Sequence, residues 1–220
     1  GLVGSEMCIR DRSMSAYKRK DHLYQEAKNT GLRSRAAFKL QELQKRCKLI
    51  ERDYKIIDLG AWPGGWLQIA AQFVGPKGLV VGIDLKQIDE IASSQIRTLI
   101  GDVADEQIIR EALEIAEGGF DLLLSDMSPK LTGIKSADRI AAVGCSELAL
   151  YTAEQALRAG GSFVTKVFKS NEAEEFFRSV RTSFERIKRV ELKSTRNTSN
   201  EFYIVGYGFT VSYTHLTLPT

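Results

Sequence analysis

Only three cysteines, Cys8, Cys47 and Cys145, occur in the 220 residues, and they are widely scattered. No CxxC or Cys/His spacing joins them, so neither a disulfide framework nor a zinc site is indicated, which fits a reducing, cytoplasmic setting. The two histidines, His22 and His215, stand alone, and no chemistry is assigned to them. No run approaches the roughly 20 apolar residues that a transmembrane helix needs, so no membrane partner is expected. Internal repeats and low-complexity linkers are missing too. What remains is a globular composition, 43% hydrophobic and 27% charged, in a chain long enough to bury one α/β core without staples.

The two ends differ from the rest. Residues 1–13 (GLVGSEMCIRDRS) and 211–220 (VSYTHLTLPT) lack the order of a signal peptide and are expected to be foreign to the fold. A single domain is expected over 14–210. The net charge of +3 decides nothing, but its distribution does more. Between Met14 and Lys48 lie ten Lys/Arg residues against three acids. A phosphate-binding face, with Lys18, Arg19, Lys20, Arg33 and Arg35 as RNA contacts, accounts for that density. A solvated helix face accounts for it equally well.

Beyond this segment, short apolar runs alternate with longer amphipathic stretches. A helix capped by Ser34 is expected to run through Arg46, burying Ala37, Leu40, Leu43 and Cys47. KIIDLG (55–60), LVVGIDL (79–85), IRTLIGD (96–102), FDLLLSD (120–126) and SFVTKVF (162–168) read as strands, with helices between most of them. A long helix should stop at Gly160 and Gly161, and Asn171 should cap the next. The strands RIKRVEL (186–192) and EFYIVGYGF (201–209) are joined without a helix, which predicts one antiparallel strand at the sheet edge. The pattern is a seven-stranded, mostly parallel, Rossmann-like α/β sheet covered by helices on both faces.

Four places carry chemistry. DLGAWPGGW (58–66) follows the first strand, and its glycines let a ligand approach the backbone. The spacing of Gly60, Gly64 and Gly65 departs from G-x-G-x-x-G, which argues against a bound pyrophosphate. A tight turn with no ligand is the plainer alternative. Asp84 ends the second strand, where a carboxylate can accept from both hydroxyls of a nucleoside ribose. Asp102 ends the third, within reach of an adenine amine, although either acid alone could be a turn residue or a helix cap. Lys166 stands inside the apolar run FVTKVF, where an ammonium is costly unless it is paired or faces a site. With Asp126 of SDMSP, Lys39 of SRAAFKL and Glu201 of SNEFY it could form a cluster of two lysines and two acids.

SRAAFKL, DLGAWPGGW, GIDL, GD, SDMSP, FVTKVF and SNEFYIV, in this order and spacing, resemble the FtsJ/RrmJ-type ribosomal RNA methyltransferases. The likeness runs from about Tyr17 to Phe209. It implies a Rossmann-like methyltransferase fold and S-adenosyl-L-methionine as cofactor. The implied reaction is methyl transfer to the ribose 2′-hydroxyl of a uridine in large-subunit (23S) ribosomal RNA, naked or within the 50S particle. It further implies Lys39, Asp126, Lys166 and Glu201 as the catalytic set, and cofactor contacts at Gly60, Gly64, Trp66, Asp84, Asp102 and Asp126. A cytoplasmic monomer without metal is expected. Two departures stand out. The family usually reads DLGAAPGGW, so the ring of Trp62 must turn away from the cofactor or reshape its edge, and SDMSPKLTG differs from the commoner SDMAPNMSG. The alternatives are a 2′-O-methyltransferase of a transfer RNA anticodon loop or an RNA cap, an NAD-dependent dehydrogenase and a non-catalytic RNA-binding assembly factor.

Overall fold

β-Branched and leucine-rich runs set the strands, and their burial on both faces sets the layers. The computed structural model describes residues 22–130, 132–196 and 199–210. In chain order the elements are α1 (His22–Asn29), α2 (Ala37–Cys47), β1 (Lys55–Leu59), α3 (Gly65–Val74), β2 (Leu79–Asp84), β3 (Ile96–Ile100) and α4 (Glu106–Ile115). They continue with β4 (Phe120–Ser125), α5 (Lys135–Ala156), β5 (Leu157–Phe168), α6 (Asn171–Ser183), β6 (Phe184–Val190) and β7 (Glu201–Phe209). The seven strands form one sheet in the order β3-β2-β1-β4-β5-β7-β6. Neighbours from β3 to β5 are parallel, and β7 is antiparallel to both β5 and β6.

Alternate residues of each strand feed two separate cores, as the twofold side-chain period requires. Ile57, Leu59, Leu123, Phe163 and Val167 face the side that also holds residues of α4, α5 and α6. Ile56, Leu122, Leu124, Val164 and Tyr203 face the other, with Leu40 and Leu43 of α2 and Leu67 and Ile69 of α3. All ten of these sheet residues are fully or almost fully buried, and at about 1.5–3 kcal/mol for each large apolar side chain this double core dominates stability.

Several boundaries differ from the sequence expectation. Ser34 does not cap α2: the helix begins at Ala37 after Ala36, with no side-chain cap, and a turn in which the Ala37 amide donates to the Ser34 carbonyl precedes it. α6 is capped by Ser170, whose Oγ accepts from the Ala173 amide; Asn171 is its first helical residue. α5 stops at Ala156, ahead of the two glycines, because Leu157 already pairs with Phe120. The register then shifts between Phe120 and Leu122, and Gly160 takes a positive φ of 79° within that irregular stretch. The antiparallel strand is β7, which lies between β5 and β6, so the edge belongs to β6 instead. The helix α1 had no signal strong enough to be expected. The residues 1–21 and 211–220, which hold both expected foreign ends and Lys18, Arg19 and Lys20, lie outside the described residues.

Candidate active site

Sheet direction builds this site. β1 and β4 end at the same edge of the sheet, and because β7 runs backwards, its first residue arrives there too. The β5–β7 register pairs Lys166 with Tyr203 and Phe168 with Glu201. Cross-strand partners share a face, and residues two apart on one strand share it as well. Lys166, Tyr203 and Glu201 therefore line one face, and α2 lays Lys39 over it.

Asp126, the residue after β4, is the hub. Lys166 Nζ lies 3.2 Å from Asp126 Oδ1 and donates to the Asp126 carbonyl at 2.7 Å. Lys39 Nζ sits 2.6 Å from Glu201 Oε1 and 3.7 Å from Asp126 Oδ1. The Tyr203 hydroxyl donates to the same Oδ1 at 2.7 Å. Thr195 and Ser199 hydroxyls donate to the two oxygens of Glu201. The main chain of Lys166 is fixed from the opposite layer, since Ser146 of α5 donates to its carbonyl. The four expected residues thus form one connected network, and both lysines are buried. Burial works to raise the Asp126 carboxyl, yet Lys166, Lys39 and the Tyr203 donor outweigh it and hold it below the ordinary range. Burial, reinforced by Asp126 and Glu201, pushes the Tyr203 phenol well above its usual value and keeps it a donor.

A pocket opens beside this network, lined by Ser34, Ala36, Asp58, Gly60, Ala61, Trp62, Gly65, Trp66 and Asp126. Gly60 and Gly65 line it, and Gly64 shapes the turn between them. Gly64 has φ +106°, and a side chain there would meet Ile91 and Arg33 at 2.8 and 3.2 Å. A Cβ on Gly65 would stand 2.3 Å from Ser34 Oγ, so only glycine lets the entry segment pack on the start of α3. Trp66 is buried beneath the pocket, its indole N–H donating to the Ala36 carbonyl at 2.7 Å. Asp84 is met through the backbone: its Oδ2 accepts from the Trp62 amide and its Oδ1 from the Lys86 amide, both at 2.9 Å. Asp102 is exposed and closes a turn by accepting from the Ala104 amide at 2.9 Å. The Trp62 ring stands half exposed and lines the pocket.

Two residues escaped the sequence reading. Tyr203 could have been found from its alternation with Glu201. Asp58 is the sharper omission: it is 1% exposed, and its Oδ2 has no hydrogen-bond partner among the described residues. Burial, then the charges of Asp126 and Asp84, push its carboxyl well above the ordinary range. The argument applied to Lys166, a charged residue inside an apolar strand, applies equally to Asp58. An unpartnered buried carboxylate oxygen in a glycine-lined pocket fits a ligand that brings an amine, as an amino-acid-bearing nucleoside does.

Arg33 and Arg35, expected as RNA contacts, also have partners within the protein. The Arg33 guanidinium donates to the carbonyls of Pro63 (3.3 Å), Asp89 (2.6 Å) and Glu90. Arg35 donates to the Ser194 carbonyl at 2.8 Å. The solvent-facing cations of the described part of the basic segment are Lys28, Lys45, Arg46 and Lys48. Among the described residues no group of three or more His, Cys, Asp or Glu is arranged to hold a metal, and no helix is long and apolar enough to cross a membrane.

Comparison with known proteins agrees with this arrangement. The profile of FtsJ-like methyltransferases matches residues 32–209. "Ribosomal RNA large subunit methyltransferase E" of Myxococcus xanthus is 42% identical over 190 residues, covering 86% of this chain and 89% of the relative. The protein of the same name from Syntrophobacter fumaroxidans is 40% identical over 191 residues, covering 87% and 96%. A ribosomal RNA methyltransferase structure from Plasmodium falciparum, 24% identical, superposes with a TM-score of 0.72 over 80% of this chain and 98% of that one, a likeness of fold. On this match across nearly the whole described region, the chain belongs to the FtsJ-like methyltransferase family.

Proposed function

We infer that this protein transfers the methyl group of S-adenosyl-L-methionine to the ribose 2′-hydroxyl of a uridine in large-subunit ribosomal RNA. The observation that carries the reading is the buried Lys39–Asp126–Lys166–Glu201 network beside a glycine-lined pocket. The names of the relatives supply the substrate class.

The cofactor supplies an electrophilic methyl on a sulfonium. Asp84 would accept from its ribose hydroxyls, Asp102 from its adenine amine, and Asp58 would meet its ammonium, with Gly60, Gly64, Trp66 and Asp126 around it. The protein's contribution is orientation and proton handling. With the cofactor bound, its methyl–sulfur bond would break to leave a neutral thioether, and Lys166 would accept at Nζ the proton of the ribose hydroxyl that takes the methyl, so its amine must enter the step neutral. Asp126 then faces the ammonium that results. Lys39 and Glu201, paired at 2.6 Å, fix the other wall. RNA docks through phosphates along the basic segment, where Lys28, Lys45 and Lys48 face solvent.

The test is incubation with methyl-labelled S-adenosylmethionine and, in parallel, 50S particles, naked large-subunit RNA and transfer RNA. Label on a uridine 2′-oxygen of large-subunit RNA supports the reading. Label confined to transfer RNA, or no label with any of the three, refutes it.

A further inference from the structure

The outer wall of the pocket is built in a way that the family's usual alanine could not provide. Trp62 is 49% exposed, yet its ring is not loose: the Lys86 ammonium lies 4.2 Å from the ring centroid. The two residues come from different loops, after β1 and after β2, and one carboxylate joins them. Asp84 Oδ2 accepts from the Trp62 amide and Oδ1 from the Lys86 amide. The stacked pair therefore rises from two loops that are anchored on one carboxylate, the group assigned to a nucleoside ribose. Each carboxylate oxygen accepts one backbone bond and keeps a lone pair for a hydroxyl. Trp62 also lines the pocket with Asp58 and Asp126.

We propose that Trp62 is a cofactor-contacting residue, whose indole packs against the nucleoside of S-adenosylmethionine held on Asp84, with Lys86 as the positioning residue that pins the ring. This rests on the reading of the pocket as a methyl-donor site. Cation–π stacking fixes an exposed ring without a rigid core behind it, so the wall is set before the ligand arrives and less ordering is needed on binding. An RNA base could also stack on an indole, but Trp62 lines the pocket and is tied by its main chain to Asp84, and the unpartnered Asp58 oxygen in the same lining calls for the amine of an amino-acid-bearing nucleoside.

The probe is S-adenosylhomocysteine, titrated by calorimetry and by intrinsic fluorescence. Covering part of the exposed indole corresponds to about a tenfold change in Kd. Trp62→Ala should raise Kd by about that factor, Trp62→Phe should recover most of the affinity, and Lys86→Met should weaken binding by roughly two- to threefold. Trp62 and Trp66 are the chain's two tryptophans, and Trp66 is buried. The wild-type emission change on binding should therefore shrink sharply in Trp62→Phe. Affinity for a large-subunit RNA fragment, measured without cofactor, should be unchanged in Trp62→Ala. If wild type and Trp62→Ala bind S-adenosylhomocysteine equally, the proposal alone falls. If Trp62→Ala loses RNA affinity and keeps that for the probe, the ring is a base-stacking platform and the proposal is again overturned. A wild type that does not bind the probe overturns the methyl-donor reading itself.

Discussion

Replacing Asp58 with asparagine should move stability and ligand affinity in opposite directions. Asp58 is 1% exposed, and its unpartnered Oδ2 feels the like charges of Asp126 and Asp84. Its carboxyl titrates well above the ordinary range in the folded chain and at the ordinary value in the unfolded one. A raised folded value means that stability is highest below the unfolded value and declines as pH rises through the folded one. Asparagine keeps the shape and removes the ionisation, although its amide still wants partners. From the about 1–3 kcal/mol cost of an unsatisfied buried polar group, a net gain of about 1 kcal/mol at pH 8 is expected. For a domain of this size that is about 2–4 °C in Tm. At pH 5, nearer the unfolded value, a larger fraction of the wild-type carboxyl holds its proton, and the gap should narrow. Affinity for S-adenosylhomocysteine should meanwhile fall by about ten- to thirtyfold at pH 8, as a charge-assisted hydrogen bond to the ligand's ammonium is lost. Calorimetric melting at both pH values, paired with titration, checks both. A Tm difference independent of pH, or an asparagine variant that melts lower at pH 8, refutes the reasoning.

Lys166→Ala should abolish methyl transfer while S-adenosylhomocysteine binding persists within a few fold; full activity in a labelled-methyl assay would remove Lys166 from the chemistry. Tyr203→Phe deletes the 2.7 Å donor to Asp126 and should cost about 1–2 kcal/mol of stability, read by denaturant unfolding. Because Asp126 titrates below the ordinary range, its stabilising contribution is present above the unfolded carboxylate value and vanishes as pH falls through the folded one. The deficit of Tyr203→Phe should therefore narrow in strong acid. Arg33→Met removes three carbonyl contacts and should lower stability by about 1–3 kcal/mol without altering the salt dependence of RNA binding. Lys45→Met with Lys48→Met should shallow the slope of log K against log salt by about one unit per lost phosphate contact.

The buried network of Lys39, Asp126, Lys166 and Glu201 was legible because its members violate local rules. An ammonium inside FVTKVF and a carboxylate ending an apolar strand ask for partners, and the structure supplies them within 3.7 Å. Asp58 violates the same rule, but it sits in a glycine motif that already had an explanation, and the motif concealed it. Arg33 shows a second use of charge: a cation reads as a phosphate contact, while a guanidinium can equally tie three carbonyls of two loops. No local pattern separates those uses, since the carbonyls lie 30 to 57 residues away in sequence. The place of β7 was hidden for a related reason. A strand's run predicts its existence, whereas insertion between β5 and β6 depends on long-range pairing. At Asn171 the error was one residue, because Ser170 and Asn171 both make good caps and only backbone geometry chooses.

That insertion has a consequence for the timing of assembly. The strand bearing Glu201 and Tyr203 enters a slot between two strands that precede it in the chain. Until it does, β5 offers an open edge to other chains, Lys39 lacks its acid, and Asp126 lacks its phenol. Maturation of the enzyme thus ends in the same event that seals its most adhesive surface, so a folding intermediate stalled before this step would be both inactive and prone to aggregate.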